Sequence, residues 1–315
     1  MKVKKLSKSA IDCYKECEWK YFLKYICGLQ EPTGRAACIG NIVHKVFEIL
    51  AQTKKTGHYL LNDKYTDKNY LMNIVFARYQ KTNPELNLDE KDKKSAIKLM
   101  NNLATFYDPL KQEILGTEQG FEIEIQKPGF EYKYDDEEGY LVIHGYIDLL
   151  SSINNQTIEI IDYKTGKDTD WVTGEQKTQD NLNKDLQLQM YDLACSLMYP
   201  DKDRLLTIVY LKKGQEISTC INAGDRQNLI NKLRVVFNSI MNNKNPIRLK
   251  EDEDKKKQKF KCNFCYFEKD GSCNKLYGVL KKEGYEKTIH AAKLTISAKK
   301  RSDRKFGLNN KYIYK

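Results

Sequence analysis

Apolar residues recur at a helical spacing near the start of the chain. Within 7–26 these are Ile11, Tyr14, Trp19, Phe22, Leu23 and Ile26, with Ser7 or Ser9 available to cap the first turn. A turn is expected around Pro32 and Gly34. A second helix should run from about Asn41 into the fifties, with Ile42, Val46, Ile49 and Leu50 on one face. Two more helical stretches are predicted near 67–81 and 90–115. The period then changes. FEIEIQ at 121–126 alternates strictly and predicts a strand, followed by EYKYD at 131–135 and YLVIHGYIDLL at 140–150 across an acidic turn at 135–139. TIEIIDYK at 157–164 is a further strand ending in Thr165 and Gly166. A helix from about Asp185 to Met198, the apolar strand LLTIVYL at 205–211 and a helix over 225–242 complete the pattern. The order predicts an α/β fold, a mixed central β-sheet flanked by helices, with a helical insertion at about 51–115 and a cysteine-anchored C-terminal region.

Composition narrows the class. A chain of 315 residues that is 40 % hydrophobic and 31 % charged can bury one substantial core plus a small appendage, as soluble globular proteins do. No run of 18 apolar residues exists, which excludes a bilayer-spanning helix. Met1 to Ala10 is basic with no apolar stretch behind it, so no secretory signal is expected and the protein is assigned to the cytoplasm of a bacterial or phage-infected cell. In that reducing setting nine cysteines, an odd number, read as metal ligands or buried thiols rather than disulfides. Net charge is +11 and points to a polyanionic partner. From Asn274 to Lys315 there are twelve Lys or Arg against three acids, so the excess is concentrated in a basic C-terminal stretch, which is either a solvated tail or a nucleic-acid contact. No GxxxxGK[ST] loop is present, hence no sign of an ATP-driven motor in this chain.

Chemistry concentrates in two segments, GYIDLL at 145–150 and IEIIDYKTGK at 158–167. Asp148 and Asp162 each sit near the polar end of an otherwise apolar strand, where an unpaired buried carboxylate costs several kcal/mol on the order given for isolated charges. A divalent cation would compensate both, and an oxygen-rich pair suits Mg²⁺ or Mn²⁺. Lys164 follows Asp162 by two residues and so projects from the same strand face, where it can orient a water or stabilise charge on a phosphate. His44 lies on an early helix, and by itself reads more readily as a core residue than as a ligand.

Taken together these elements resemble the PD-(D/E)XK nuclease superfamily in its RecB-like branch. The chain carries Gly40-Asn41-Ile42-Val43-His44, Gly145-Tyr146-Ile147-Asp148, Asp162-Tyr163-Lys164-Thr165-Gly166 and Gln187-Leu188-Gln189-Met190-Tyr191, in the order of that family's G-x-x-x-H, G-x-x-D, D-x-K-T-G and Q-x-x-x-Y motifs. The resemblance implies a restriction-endonuclease-like core in which His44, Asp148, Asp162 and the backbone carbonyl of Tyr163 ligate metal. It implies that Lys164 serves the attacking water, and that Gln187 and Tyr191 orient the lysine and the DNA backbone. His144 is not selected by the pattern.

Cys262, Cys265 and Cys273 have metal-ligand spacing but supply only three thiolates where a tetrahedral site or a cubane needs four. The N-terminal stretch offers Cys13, Cys17 and Cys27. RecB-like nucleases of the AddB and CRISPR-adaptation types are similar in having one cysteine before the core and three after it around an iron–sulfur cluster. Cys17-Glu18-Trp19-Lys20-Tyr21 resembles their Cys-Pro-x-Lys-Tyr/Phe segment, with Glu18 where proline is common, and so the resemblance selects Cys17. The gap between Cys265 and Cys273 is longer by two than in that pattern. The implied group is a 4Fe-4S cluster, with structural Zn²⁺ as the alternative, and Cys27, Cys38, Cys195 and Cys220 are expected to be buried small apolar residues.

The resemblance thus implies a nuclease domain over 1–280, its ends joined by the cysteine site, followed by a basic tail over 281–315. The expected activity is metal-dependent hydrolysis of DNA, as an exonuclease on single strands or duplex ends in recombination, repair or CRISPR adaptation, beside a helicase or adaptation partner and away from membranes. The alternatives are a DNA-binding accessory subunit that does not cut, and a structure-specific endonuclease. The sequence leaves polarity and oligomeric state open.

Overall fold

The computed structural model describes residues 1–58, 63–135, 137–169, 174–295 and 311–314. In chain order they form β1 (Lys5–Ser7), α1 (Lys8–Glu16), α2 (Glu18–Tyr21), α3 (Arg35–Thr56), α4 (Lys68–Thr82), α5 (Glu90–Asn101), β2 (Glu113–Ile125), β3 (Glu131–Tyr134), β4 (Glu137–Tyr140), β5 (Val142–Ser152) and β6 (Thr157–Lys164). There follow α6 (Gln179–Leu182), α7 (Leu186–Met198), β7 (Asp203–Tyr210), β8 (Gln215–Thr219), α8 (Ala223–Asn242), α9 (Tyr266–Lys269), α10 (Ser272–Glu283), α11 (Tyr285–Thr295) and β9 (Lys311–Tyr314). The fold is mixed α/β, with a mixed sheet flanked by helices. Two compact units divide it, one of Met1–Pro32, Phe121–Gly145 and Asn228–Lys315, the other of Thr33–Gly120 and Tyr146–Gln227.

In the second unit β6 pairs antiparallel with β5 in the register Leu149↔Ile161 and parallel with β7 in the register Asp162↔Ile208, and β8 closes the edge antiparallel to β7. Residues Ile158 to Tyr163 of β6 are all buried, as expected of a strand covered on both faces. Ile42, Val46, Phe47 and Leu50 of α3, Met72 and Phe76 of α4 and Met100 of α5 share one core with Leu149, Ile161, Tyr163 and Val209. Each helix starts on a side-chain cap where the sequence provides one, Asp67 for α4, a reciprocal Asp89–Asp92 box for α5 and Asp185 for α7.

The first unit contains the parallel pairing of β1 with the start of β5, the parallel pairing of β9 with the end of β2, and the β3–β4 hairpin. Trp19 and Phe22 are fully buried and stacked at 5.1 Å, with Tyr277 of α10 edge-on to Trp19 at 5.0 Å.

Several boundaries differ from the sequence expectation. The helix predicted over 90–115 stops at Asn101, and β2 already begins at Glu113. Pro109 has no N–H to continue a helix, and the side chain of Asn102 donates instead to the carbonyls of Leu211 and Lys212 at 2.9 and 3.1 Å. Strand β8 was not expected, because Gln215 and Glu216 mask its alternation. Nor were α10, which reaches the start of the expected tail, and α11, which lies within it; in α10 Leu276, Tyr277 and Leu280 are buried at helical spacing. The basic positions Lys299, Lys300, Arg301, Arg304, Lys305 and Lys315 lie outside the described residues. Cys220, expected to be buried, is exposed just beyond the end of β8.

Asp192 on α7 is 1 % exposed and accepts from Arg204 Nε at 3.0 Å and Arg226 Nε at 2.5 Å. Asp192→Ala leaves two guanidinium groups facing each other without their anion. Urea unfolding should register a loss of about 3 kcal/mol, against little change for Asp201→Ala on the surface.

Candidate active site and cysteine pocket

Gly40 lies one helical turn before His44 on α3. A Cβ at Gly40 would meet Thr165 Oγ1 at 2.8 Å, so the glycine lets α3 approach the chain immediately after β6. That approach sets His44 Nδ1 3.3 Å from Asp148 Oδ2. The Asp148 carboxylate, carried by β5, also accepts the Tyr163 backbone N–H at 2.8 Å. The preceding motif glycine, Gly145, is needed for a separate reason: a Cβ there would meet the Phe121 ring at 2.9 Å.

On β6 the three residues of the D-x-K motif diverge. Tyr163 points into the core, its ring 4.7 Å from Phe47 and its hydroxyl donating to the Tyr107 carbonyl at 2.9 Å, so only its backbone remains for a ligand role. Asp162 and Lys164 share the other face, and Lys164 Nζ lies 2.6 Å from Asp162 Oδ2. Gln187 bridges the pair: its Oε1 accepts from Lys164 at 2.8 Å while its Nε2 donates to Asp162 Oδ1 at 3.0 Å and to the Tyr191 hydroxyl at 2.6 Å. The bridge is placed by the start of α7, where Asp185 accepts from the backbone N–H groups of Gln187 and Leu188.

A third carboxylate enters that the sequence reading missed. Ligand atoms of His44, Glu118 and Asp148 lie within 4.8 Å of one another, close enough to share one cation, whereas Asp162 is turned to Lys164 and Gln187. Glu118 sits within β2 with φ +44°, a left-handed conformation that a non-glycine residue adopts at a cost of about 1–3 kcal/mol. The one available signal was Gly116 and Gly120 flanking it, since glycines inside a strand mark a local departure from regular pairing.

Charge balance at the site favours a cation. Burial, together with the nearby Asp148, pushes the Asp162 carboxyl up to about 6 despite Lys164. Glu118, though still open to solvent on one side, is raised to about 7 by partial desolvation, Asp148 and Glu48. Burial acts against the ionised form of Asp148 as well, but the neighbouring His44 and Lys164 and the Tyr163 N–H outweigh it and its carboxyl is lowered. Burial likewise opposes the Lys164 ammonium, yet Asp162 holds its pKa above the ordinary value, and Asp148 does the same for His44.

In the first unit Cys17, Cys262, Cys265 and Cys273 line one small pocket, with Lys20, Arg248, Lys250 and Glu268 also in its wall. Cys13 and Cys27 are not among the residues lining it, and none of the nine cysteines forms a disulfide. The backbone N–H of Lys20 donates to Cys17 Sγ at 3.3 Å, and Leu249 and Lys250 turn backbone N–H groups to Cys17 and Cys262. Burial raises the thiols of Cys17, Cys262 and Cys273, the last to about 12. Four soft donors with such N–H support form a set suited to zinc or an iron–sulfur cluster.

A family model described as the PD-(D/E)XK nuclease superfamily matches residues 5–269. The chain is 24 % identical over 163 residues to a subunit of an ATP-dependent helicase/deoxyribonuclease from Streptococcus equi subsp. zooepidemicus, covering 51 % of this chain and 14 % of that protein. It is 24 % identical over 211 residues to the protein of the same description from Streptococcus mutans, covering 65 % and 18 %. It therefore spans under a fifth of the length of these relatives. A solved structure from Eubacterium rectale, provisionally described as an exonuclease, aligns with a TM-score of 0.45 at 11 % identity, covering 80 % of this chain and 87 % of that one.

The close approach at Gly40 gives a double-mutant test. Gly40→Ala should cost about 1–2 kcal/mol in urea unfolding even though alanine is the better helix former. Combined with Thr165→Ala, which removes the oxygen at 2.8 Å, the same change should be neutral or stabilising.

Proposed function

Because this chain belongs to the PD-(D/E)XK nuclease superfamily, we propose that it is a divalent-metal-dependent deoxyribonuclease that hydrolyses phosphodiester bonds of single strands or duplex ends as an exonuclease. The observation that carries the reading is the Lys164–Asp162–Gln187 bridge set beside the His44, Glu118 and Asp148 ligand atoms. Hard oxygen donors with one imidazole suit Mg²⁺ or Mn²⁺. His44, Asp148, Asp162 and the Tyr163 carbonyl would hold the ion, with Glu118 as a further oxygen donor. Bound there, the cation supplies Lewis-acid polarisation of the phosphate and a lowered water pKa.

The protein's own groups do the rest. Lys164 keeps its proton beside Asp162, so it acts as a fixed cation that orients the attacking water and steadies charge on the phosphate oxygens. Gln187 holds that ammonium in place, and Tyr191 holds Gln187. The reaction joins a water oxygen to phosphorus and breaks the bond from phosphorus to the leaving sugar oxygen. Cys17, Cys262, Cys265 and Cys273 would hold a 4Fe-4S cluster, or Zn²⁺ as the alternative, in a structural role. The description of the streptococcal relatives as helicase/deoxyribonuclease subunits supports a helicase partner and a place in DNA-end processing during recombination, repair or CRISPR adaptation. Among the described residues no helix is long and apolar enough to cross a membrane.

Cleavage of end-labelled single-stranded and duplex DNA with Mg²⁺, Mn²⁺ or EDTA tests the activity. Lys164→Ala and Asp162→Ala should each lower the rate by on the order of 10²–10³-fold or more, with the fold retained. DNA binding without cutting under any metal would make this a non-cleaving accessory subunit.

Metal binding should also be visible without DNA. The folded pKa values of Asp162 and Glu118 lie above their ordinary ones, so the stability they contribute is present below about pH 4 and is lost as pH rises through about 6 to 7. A cation relieves that loss. Mn²⁺ should therefore raise Tm more at about pH 8 than at about pH 5.5, and Asp148→Asn should remove the difference.

A further inference from the structure

Arg248 lies in the wall of the cysteine pocket and belongs to none of the nuclease or cysteine motifs. Its guanidinium is clamped on three sides. Its plane covers the Tyr277 ring at 4.2 Å, Nη1 donates to Asn274 Oδ1 at 2.7 Å, and Nη2 pairs with Glu251. Nε, by contrast, is buried and has no hydrogen-bond partner among the described residues. An orphaned donor on a cation normally costs the desolvation of that group, about 1–3 kcal/mol. The clamp nevertheless holds it in the wall of the pocket that Cys273 also lines, where the guanidinium and the Cys273 thiol interact electrostatically.

Four thiolates around one dication, or around a cubane core of charge 2+, leave a centre of net charge 2−. Such a centre needs positive charge and N–H donors close to its sulfurs. The backbone already supplies donors to Cys17 and Cys262, through Lys20, Leu249 and Lys250. Cys273 differs: its side-chain neighbour is the carboxylate of Glu268, itself paired with Lys250. Glu268 also lies near Cys262, but Cys273 is the thiol hydrogen-bonded to it, and Cys273 interacts with the guanidinium that has a donor to spare.

We infer that Arg248 is a positioning residue for the metal centre, its guanidinium compensating the anionic thiolates and its Nε–H donating toward the Cys273 sulfur. The inference rests on the reading that the four cysteines hold metal. It assigns to Arg248 the retention of that centre rather than any step of DNA cleavage. The stacked Tyr277 then orients the arginine, and Trp19 fixes the Cys273 backbone by donating Nε1–H to its carbonyl at 3.1 Å.

The test uses the full chain, purified anaerobically, as wild type, Arg248→Gln, Arg248→Lys and Cys262→Ala. Iron, sulfide and zinc are quantified, and release of the metal to a chelator is followed by the visible absorbance of the cluster or by a zinc dye. Wild type should retain metal and Cys262→Ala should not. Arg248→Gln should bind it roughly 10–100-fold more weakly, the usual range for removing a group that supports a metal ligand, and release it correspondingly faster. Arg248→Lys keeps the charge but loses the planar fork, and should fall between the two. Apo-protein melts of all four chains separate a folding defect from a retention defect. Release from Arg248→Gln and Arg248→Lys at the wild-type rate would overturn the role of Arg248 while leaving the cysteine reading intact. A wild type that binds neither iron nor zinc would overturn both.

Discussion

An ion pair at the end of a strand covered on both faces governs this molecule. Asp162 is almost wholly buried, and its carboxylate is held by the Lys164 ammonium two residues on and by the Gln187 amide across from it. Everything around the pair serves to keep it there. Asp185 starts α7 at the residue that lets Gln187 face β6, Gly40 gives α3 room to reach Thr165, and Tyr163 anchors the intervening residue in the opposite core. Burying ions is expensive and repays its cost only where geometry is close to ideal. The strand end is therefore a place where small displacements are felt.

Two kinds of carboxylate site coexist in the same unit. Asp192 has two guanidinium partners and is saturated, which suits a structural tie between α7, β7 and the start of α8. Asp148, Asp162 and Glu118 together have one lysine and one imidazole. Negative charge in excess of fixed positive charge sets this group apart from the saturated Asp192, and its perturbed carboxyls are of the kind found at functional sites. The left-handed backbone of Glu118 belongs to the same distinction, because strain of that kind persists where the surroundings over-determine it.

The sequence made β6 and α7 legible because their patterns are long and regular, and because D-x-K and Q-x-x-x-Y occupy fixed positions on them. That Gln187 and Tyr191 orient Lys164 came from the resemblance; the period of a helix added only that the two residues share a face. Glu118 was illegible for the converse reason: its place depends on a departure from strand geometry, which no periodicity encodes. The α5–β2 junction was misjudged because the apolar residues of 103–115 continue a helical spacing across Pro109, and local chemistry overrode it. Cys17 could be separated from Cys13 only by resemblance, since the sequence pattern reads as helical through both, whereas the structure puts Cys17 at the extended break between α1 and α2. The helices at 266–295 were hidden by their lysines, which cover an apolar stripe as narrow as that of Leu276, Tyr277 and Leu280.

The division of the chain has a consequence for biosynthesis. Every segment of the second unit, Thr33–Gly120 and Tyr146–Gln227, precedes in the chain the last segment of the first, beginning at Asn228, and is synthesised before it. The charged strand end with its histidine and glutamine can therefore assemble on the nascent chain, while Cys17 must wait for Cys262, Cys265 and Cys273. The stretch around Trp19 and Phe22 thus waits for its eventual neighbours until the segment from Asn228 onward is made, and its apolar side chains are open to a chaperone during that interval.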